Sequence, residues 1–563
     1  MTISLSSILI LVLNAGVLAG TESSVKGPLS HKDYERYLAN LRQSDEVLPQ
    51  APNSHPVAAM YNREAVIPPQ CYTKTEGKNN PCYVCHQNEI KGRENVMNDG
   101  ALQIAYSFSD EGLSNHWKNL FEDKRSQVEQ ISDEEIHQWI DTDNYSALAA
   151  RLKEVGFKGW IPDLHNLHLG AEAFDKFGFA KDGSHWVAFN YKPMPSTFWP
   201  TNGSTDDVMI RLPEVYRQTV DGEYSLDVYR ANLSILEANI KGLKSISSLP
   251  INEKNIGKDL NQDGEIGEIT SIDDISHYVG AAEPYFIDTH LYPEGTEFLH
   301  TVRYVGIDEN QQITVSKRMK EVRYMKKWRA YQKGVYARQY ELESYEKAAG
   351  HLPGYQNLGD YGLDNGNGWS IQGFIESHNG ELRANTYEEN FFCMGCHTSI
   401  GSTIDKTFSF ARKVDGGIGW SYIDLKKMHD APNMGEKDGE ILTYFQRAGG
   451  GDELRSNSEM LERWFNADGS VNKDKVRAAP NLYSLIVPSV ERALELNKAY
   501  KVIVENQDFI YGRDATVTSP KNVYQTIDNK NSPTLPIESF YSWDIRLDWQ
   551  AGANRKVVKE KNP

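Results

Sequence analysis

The sequence predicts a mainly α, multi-domain protein with irregular segments and a minor β component. A chain of 563 residues has room for two to four domains. Its clearest periodic stretches are helical: one starts at a capping box of Ser132 and Glu135, and another stops at Gly242. The clearest β-like stretches, residues 295–308 and 311–325, are about two residues apart and predict a hairpin.

The remaining elements are predicted from the same patterns. Residues 21–70 are rich in turn-forming residues and are expected to be irregular. Residues 325–349 show a helical pattern that stops at Gly350, and residues 487–507 form a second long helical run. A segment rich in glycine, asparagine and aspartate, residues 359–370, is expected to be a loop.

Two short stretches, "PCYVCHQ" at residues 81–87 and "FFCMGCHTS" at residues 391–399, share the spacing C-x-x-C-H and use four of the five cysteines. A C-x-x-C pair alone is compatible with a redox dithiol, half of a zinc site, or the attachment point of a c-type haem. The zinc alternative would combine both pairs into four thiolates. Such pairs usually lie close in sequence, whereas these are 311 residues apart (393 minus 82).

The histidine after each pair favours haem. Fifteen of the 563 residues are histidine, so a histidine directly after both pairs has a chance probability of roughly one in a thousand. In haem attachment the two thiols form thioethers, and the adjacent histidine becomes the proximal iron ligand. We therefore expect two covalently attached c-type haems, held by Cys82, Cys85 and His86 and by Cys393, Cys396 and His397.

Through the pentapeptides "CYVCH" and "CMGCH" the chain resembles the dihaem c-type cytochromes. This resemblance implies cytochrome c-like haem segments and electron transfer through two haems. The chain is much longer than a simple electron carrier, and in this it is similar to the dihaem cytochrome c peroxidases, the MauG-like proteins and the dihaem rubber oxygenases. The second resemblance implies a peroxidase or oxygenase with one electron-transfer haem and one five-coordinate reactive haem.

Covalent haem attachment takes place outside the cytoplasm, so an export signal is expected. Residues 8–20 form an apolar run that suits a signal-peptide core and is too short to span a bilayer. Val17 and Ala19 are small residues placed for cleavage, so we expect a signal peptide over residues 1–19 and a periplasmic protein. The alternative is a retained membrane anchor. No cysteine directly follows the run, so a lipoprotein is not expected. No later stretch is long and apolar enough to predict a membrane span.

The charge of the chain bears on its partners. Lysine and arginine number 60 against 78 aspartates and glutamates, a formal charge of −18. This balance argues against nucleic acid and anionic membrane surfaces as partners. It favours a redox protein donor or acceptor with a basic docking face.

Cys71 is the fifth cysteine and has no partner in the chain if the other four bind haem. A buried or capped thiol is the simpler interpretation. The alternatives are a haem ligand and an intermolecular disulfide. Because Cys71 lies 11 residues before Cys82, we expect it close to the first haem.

The ligand on the second face of each iron decides between an electron carrier and an enzyme. For the second haem the local candidates in "KKMHDAPNMG" are Met434 and His429, and Met434 is preferred because Pro432 and Gly435 place it in a loop. Met97 and His116 are the nearest candidates for the first haem. Further candidates are His165, His168, His185, His277, His290 and His300, although a structural role is the simpler interpretation of each. A ligand from the middle region, or an open site, is the alternative to Met434 and His429 at the second haem.

A possible calcium loop runs through "DLNQDGEIGEIT". Asp259, Asn261 and Asp263 occupy positions 1, 3 and 5 of an EF-hand loop, and Glu265 occupies position 7, which donates its backbone carbonyl. Position 12 is Thr270, where the pattern requires a carboxylate. The alternative is a surface turn, since aspartate and asparagine favour turns without a metal.

These observations divide the chain into a signal peptide (1–19), an N-terminal haem region (20–240), a middle region with the EF-hand-like loop and the hairpin (241–325), and a C-terminal haem domain (326–563). The expected function is electron transfer by a periplasmic dihaem protein. A dihaem peroxidase or oxygenase is the main alternative. A haem-bearing binding or assembly protein is a third.

Overall fold

A computed structural model describes residues 61–88, 98–195, 199–398, 400–449, 457–528 and 530–551. The predicted signal peptide and the candidate ligand Met97 lie outside the described residues. Within these ranges, no helix combines the length and the apolar character that a membrane crossing requires.

Most strands of the described chain belong to one antiparallel sheet. The strands are β1 (Val187–Ala188), β2 (Thr205–Arg211), β3 (Ile246–Asn252), β4 (Glu268–Ile272), β5 (Glu297–Ile307), β6 (Ile313–Lys327), β7 (Gln356–Asn357), β8 (Leu363–Asp364), β9 (Trp369–Glu376) and β10 (Leu382–Ala384). The order of the large sheet is β1-β2-β5-β6-β9-β8-β7, with β10 paired to β9. A separate two-stranded sheet joins β3 and β4.

The predicted hairpin is confirmed, because β5 and β6 pair with each other as neighbours in this sheet. The expectation of a mainly α fold with cytochrome c-like haem segments is wrong, because an eight-stranded sheet organises the chain. Strand β9, "WSIQGFIE", explains the error. All eight of its residues are buried, so the alternation of apolar and polar residues that marks a half-exposed strand is absent.

The helices are four to 17 residues long, and several of them contact strands of the large sheet. Those described are α1 (Arg125–Val128), α2 (Asp133–Asp141), α3 (Leu148–Glu154), α4 (Leu226–Lys241), α5 (Lys333–Ala348), α6 (Tyr387–His397), α7 (Ser409–Arg412), α8 (Glu440–Ala448), α9 (Ser458–Trp464), α10 (Lys473–Arg477), α11 (Leu482–Ile486) and α12 (Val490–Asn506).

Several helix boundaries follow from local chemistry. Ser132 caps α2 by accepting the backbone N–H of Glu135 at 3.1 Å, as predicted. Helix α4 ends at Gly242, whose φ of 68° is the left-handed conformation that favours glycine. The helix predicted from residue 325 begins later, at Lys333, because β6 continues to Lys327.

Helix α6 carries the second C-x-x-C-H motif and was not predicted. It begins with a capping box in which Thr386 Oγ1 accepts the N–H of Glu389 at 3.2 Å and the Glu389 carboxylate accepts the N–H of Thr386 at 2.8 Å. The guanidinium of Arg383 in β10 also donates to both oxygens of Glu389, at 2.7 and 2.8 Å. The cap and the ion pair fix the start of the helix to the sheet.

The three predicted regions after the signal peptide share the large sheet. Strand β2 comes from the N-terminal region and pairs with β5 of the middle region. Strand β9 comes from the C-terminal region and pairs with β6. The sheet therefore brings together chain segments that are more than a hundred residues apart.

The two faces of the sheet have different surroundings. On one face, Leu299 and Phe374 belong to a buried cluster that includes Leu148 and Leu152 of α3. On the other face, His300 and neighbouring side chains line a large cavity. This second face forms part of the candidate site.

Candidate functional site

The first C-x-x-C-H motif is wound into a tight turn. Residues Pro81–Val84 form a 3₁₀ turn, which Asn80 caps by accepting the N–H of Tyr83 at 3.1 Å. The N–H of His86 donates to the carbonyl of Cys82 at 3.0 Å and closes the next turn. As a result Cys82, Cys85 and His86 all line one cavity, here called the first cavity.

His86 is held by a buried carboxylate. Its Nδ1 lies 3.1 Å from Oδ2 of Asp99, and the same oxygen accepts a hydrogen bond from Lys347 at 3.0 Å. Burial alone would raise the pKa of Asp99, but Lys347 and His86 hold that pKa well below its ordinary value. A carboxylate on Nδ1 orients the imidazole, which leaves Nε2 as the nitrogen that can bind a metal.

The second motif lines a second cavity from the end of α6. Cys393, Cys396 and His397 contribute to its wall. Burial, with smaller contributions from Arg323 and His300, lowers the pKa of His397 to about 3, so its imidazole is neutral at pH 7. Nδ1 of His397 is buried without a hydrogen-bond partner among the described residues. A neutral imidazole is the form that binds a metal.

The two cavities adjoin each other. They enclose about 1610 and 1650 Å³ of space between atoms, a figure that includes solvent at their open mouths. Five residues line both cavities: Pro68, Gln70, Met194, Cys396 and Phe408. The two motifs, distant in sequence, therefore meet at one wall.

The cavities differ in the chemistry of their walls. The first is bordered mainly by apolar side chains, such as Val66, Ile67, Leu102, Phe108 and Leu352. The second combines an apolar part with several charged or polar side chains, including Asp206, His300, Glu321, Arg323 and Arg513. Of these residues the sequence analysis named only His300, which it expected to be structural, and it missed the other four. The sequence did carry a signal for His300: Phe298, His300 and Val302 alternate along β5, and alternate residues of a strand lie on one face of the sheet.

Cys71 also lines the first cavity, close in space to Cys82 and Cys396. Burial raises the pKa of its thiol to about 12, so Cys71 is protonated at neutral pH. The expected proximity to the first motif is confirmed. A protonated thiol is a poor metal ligand.

The arrangement of the cysteines bears on the two alternatives to haem, a zinc site and a redox dithiol. Among the described residues, no group of three or more histidine, cysteine, aspartate or glutamate side chains is arranged to hold a metal ion. The five cysteines, all of which are described, form no disulfide. A zinc centre built from both cysteine pairs therefore has no support in the described geometry.

Met434 and His429, the local ligands predicted for the second haem, lie outside both cavities. Met434 is 43% exposed, and neither it nor His429 lines either cavity. The N–H of Met434 donates to the carbonyl of Arg546 at 2.9 Å, and the His429 ring lies against Trp549. The C-terminal segment thus holds this loop away from the cavities. His116, a candidate for the first haem, pairs with Glu64 and lines neither cavity.

The possible calcium loop adopts a compact turn. Asp259 Oδ2 accepts the N–H of Gly264 at 2.9 Å, Asn261 Oδ1 accepts the N–H of Asp263 at 3.2 Å, and Asp263 Oδ1 accepts the N–H of Glu265 at 2.8 Å. Gly264 has a φ of 89°, as the sharp turn at position 6 requires.

The elements around this loop differ from an EF-hand. A 3₁₀ turn at Glu253–Asn255 precedes it, and β4 follows it, where an EF-hand has two helices. Thr270, at position 12, lies in β4. Calcium binding by Asp259, Asn261, Asp263 and Glu265 stays a prediction.

A chelator tests calcium binding. If the loop binds calcium, removing the ion is expected to lower the melting temperature, because a ligand at 100 times its Kd stabilises the folded state by about 2.7 kcal/mol. Asp263→Ala should abolish the difference between calcium and chelator. Asp468→Ala, which changes an exposed aspartate in another turn, is the matched control. A chelator without effect on the wild-type protein would leave only the turn interpretation.

Glu388 gives α6 a predicted pH dependence. Its buried carboxylate accepts the N–H groups of Tyr61 and Asn62 at 2.6 and 2.9 Å, and burial raises the pKa of Glu388 from 4.5 to about 7. The folded state therefore binds a proton that the unfolded chain releases. Stability from this group is present below pH 4.5 and is lost as the pH rises through 7.

Glu388→Gln is consequently expected to stabilise the protein at pH 8 by up to about 3 kcal/mol, and to have much less effect at pH 5. The amide oxygen can still accept both N–H groups. The measurement is the difference in melting temperature between variant and wild type at the two pH values. Glu134→Gln, at an exposed position of α2, should show no such change between pH 5 and 8. Equal effects of Glu388→Gln at both pH values would contradict the prediction.

Comparisons with known proteins identify relatives. Residues 55–484 match the model of a family described as a "-like lipoprotein". A protein of Aquifex aeolicus (strain VF5) named "Uncharacterized lipoprotein" is 34% identical over 537 aligned residues, which cover 84% of this chain and 90% of the relative. No solved structure matches.

These relatives correct the expected classification. Neither the family nor the relative is described as a cytochrome, a haem protein or an electron carrier, so the assignment to the dihaem c-type cytochromes or to the peroxidase families is wrong. The expectation of export is confirmed, since lipoproteins are exported proteins. The sequence predicted that the protein is not a lipoprotein, because no cysteine directly follows the apolar run and the first cysteine is Cys71. The description of the family disagrees with this prediction.

Proposed function

Since the chain belongs to this lipoprotein family, whose names state no activity, we propose from its own residues that it binds two c-type haems covalently and transfers electrons through them. One observation carries the proposal. The two C-x-x-C-H motifs line adjoining cavities that share Cys396 in their common wall. Two motifs with unrelated roles would not be expected to line adjoining cavities.

The residues present fit the proposed group. Thioether bonds would form at Cys82 and Cys85 in the first cavity and at Cys393 and Cys396 in the second. His86 and His397 would bind the irons; bound haem supplies one-electron redox chemistry. His86 is oriented by Asp99, and His397 is neutral at pH 7.

The two sites would have unlike electronic surroundings. Nδ1 of His86 interacts with the carboxylate of Asp99, whereas Nδ1 of His397 has no hydrogen-bond partner among the described residues. A carboxylate partner makes the imidazole a stronger donor and thereby changes the reduction potential. We therefore expect two resolved midpoint potentials.

The partner would dock at the first cavity. Glu343 and Glu346 line it, and the chain as a whole carries a formal charge of −18. A donor or acceptor protein with a basic docking face would be attracted to such a surface, and salt would weaken the attraction. The periplasm is the proposed compartment, because c-type haem attachment follows export.

A second candidate function is peroxide or oxygen chemistry at the second haem. The observation that favours it is the group of polar side chains on the sheet face of the second cavity, including Asp206, His300 and Arg323. Such groups assist peroxide or oxygen chemistry where an iron keeps an open face. This alternative requires a five-coordinate second haem.

Haem stoichiometry tests the proposal. Full-length protein produced in a host that attaches c-type haem is expected to contain two haems per chain by the pyridine haemochrome assay and by intact mass. Cys71→Ser is the matched control, since Cys71 lines the first cavity but lies outside both motifs. This variant should also contain two.

A count of zero or one in the wild-type protein would refute the proposal. With two haems present, a potentiometric titration should show two one-electron steps. A basic redox protein should reoxidise the reduced protein faster at low salt than at high salt. Rates that do not depend on salt would argue against the proposed type of partner.

A further inference from the structure

The floor of the second cavity is one face of the large sheet. Phe298, His300 and Val302 alternate along β5 toward this face. In the sheet register His300 lies opposite Val208 of β2 and opposite Arg323 of β6. Because β5 has a neighbouring strand on each side, the backbone position of His300 is firmly fixed.

The His300 side chain is held by a carboxylate. Its Nε2 lies 3.2 Å from Oδ2 of Asp206, which is nearly buried and also accepts a hydrogen bond from the Tyr191 hydroxyl. Nδ1 of His300 makes no hydrogen bond to the part of the chain that the structure describes. With Nε2 on the carboxylate, Nδ1 is the nitrogen left to bind a metal, the reverse of the arrangement at His86; neutral histidine binds metals through either ring nitrogen.

The charged neighbours of His300 are already paired. Nε of Arg323 donates to Glu321 at 2.9 Å, and the guanidinium of Arg513 donates to the second oxygen of Glu321 at 3.0 Å. Glu321 is therefore shared by two arginines. Neither its carboxylate nor the guanidinium groups compete with His300 as iron ligands, since a guanidinium has no lone pair to donate.

The second C-x-x-C-H motif lines the same cavity. Phe392, Cys393 and His397 of α6 line the cavity together with the sheet face. Of the described residues that line the second cavity, His300 and His397 are the only histidines.

We infer that His300 would supply a second ligand to the iron of a haem held by His397 in the second cavity. This inference rests on the proposed function and deepens it. A second haem with two imidazole ligands has no open coordination position, so electron transfer is its function and the peroxidase or oxygenase alternative does not apply to this site.

Methionine can also bind haem iron, so the two methionines that line this cavity are compared with His300. Met325 lies beside Phe298 in the sheet register and belongs to an apolar cluster. Met194 belongs to a second apolar cluster and lines both cavities. Their surroundings are those of core side chains, and His300 differs from both in its anchoring carboxylate.

The experiment uses the full-length ferric protein with both haems attached. Electron paramagnetic resonance is expected to show no high-spin haem at the second site in the wild type. In His300→Ala one low-spin signal should be lost and a high-spin signal should replace it, while the haem content stays at two. Added imidazole should restore the low-spin signal, which a purely structural defect would not allow. Met325→Leu should leave the spectrum unchanged.

The outcomes distinguish failure of the proposed function from failure of the assignment of His300 as a ligand. Fewer than two haems in the wild type would overturn the proposed function itself. Two haems with an unchanged spin state in His300→Ala would overturn the ligand assignment alone. So would a wild-type second haem that is already high-spin, and that result would support the peroxidase or oxygenase alternative.

Discussion

The double variant Cys393→Ala/Cys396→Ala is expected to contain one haem, whereas the proposed function requires two in the wild-type protein. Without the thiols of the second motif no thioether can form there, whereas Cys82 and Cys85 remain available in the first cavity. The haemochrome assay and the intact mass should both show the loss. The midpoint potential of the remaining haem should fall, because Cys396 separates the cavities and water entering from the second one stabilises ferric iron.

The reciprocal variant Cys82→Ala/Cys85→Ala controls this result and should retain only the haem of the second cavity. Cys71→Ser should retain both haems, so that loss of a thiol from the cavity wall is distinguished from loss of an attachment point. Two haems in either double variant would contradict the assignment of that motif.

Glu440→Ala is expected to destabilise the protein by about 3–5 kcal/mol, since it removes one partner of a buried ion pair. The Arg412 guanidinium donates to both oxygens of Glu440 at 2.7 and 2.8 Å, and Lys192 lies 3.3 Å from the same carboxylate. These three side chains are at most 1% exposed. Burial alone would raise the pKa of Glu440, but Arg412 and Lys192 hold that pKa below its ordinary value.

The measurement is the shift of the denaturant midpoint. Arg412 lines the second cavity, so if that cavity holds a haem, the loss of Glu440 should change its spectrum more than that of a haem in the first cavity. Asp474→Ala removes a fully exposed carboxylate near Arg477 and should leave the midpoint unchanged. An equally small shift for Glu440→Ala would mean that the buried network relaxes or admits water.

Local patterns in the sequence predicted local features well. The cap at Ser132, the end of α4 at Gly242 and the hairpin of β5 and β6 all depend on neighbouring residues, and all three are present. The attachment motifs are also local, because C-x-x-C-H needs only five consecutive residues to bring its groups together.

Features that depend on distant contacts were missed. Strand β9 has polar and glycine residues at buried positions, so its sequence resembles a loop, and its neighbours in the sheet make it a strand. The preference for Met434 and His429 rested on closeness in sequence to His397. The structure instead brings His300, 97 residues before His397 (397 minus 300), into the same cavity.

The sequence by itself determined the two C-x-x-C-H motifs, and it predicted export and the approximate bounds of several helices and one hairpin. Only the tertiary structure decided that the two motifs share a wall at Cys396 and that the sheet supplies the far side of the second cavity. The physical reason is range. Caps, turns and attachment motifs depend on bonds between residues a few positions apart, whereas cavity walls depend on burial and strand pairing between segments separated by hundreds of residues.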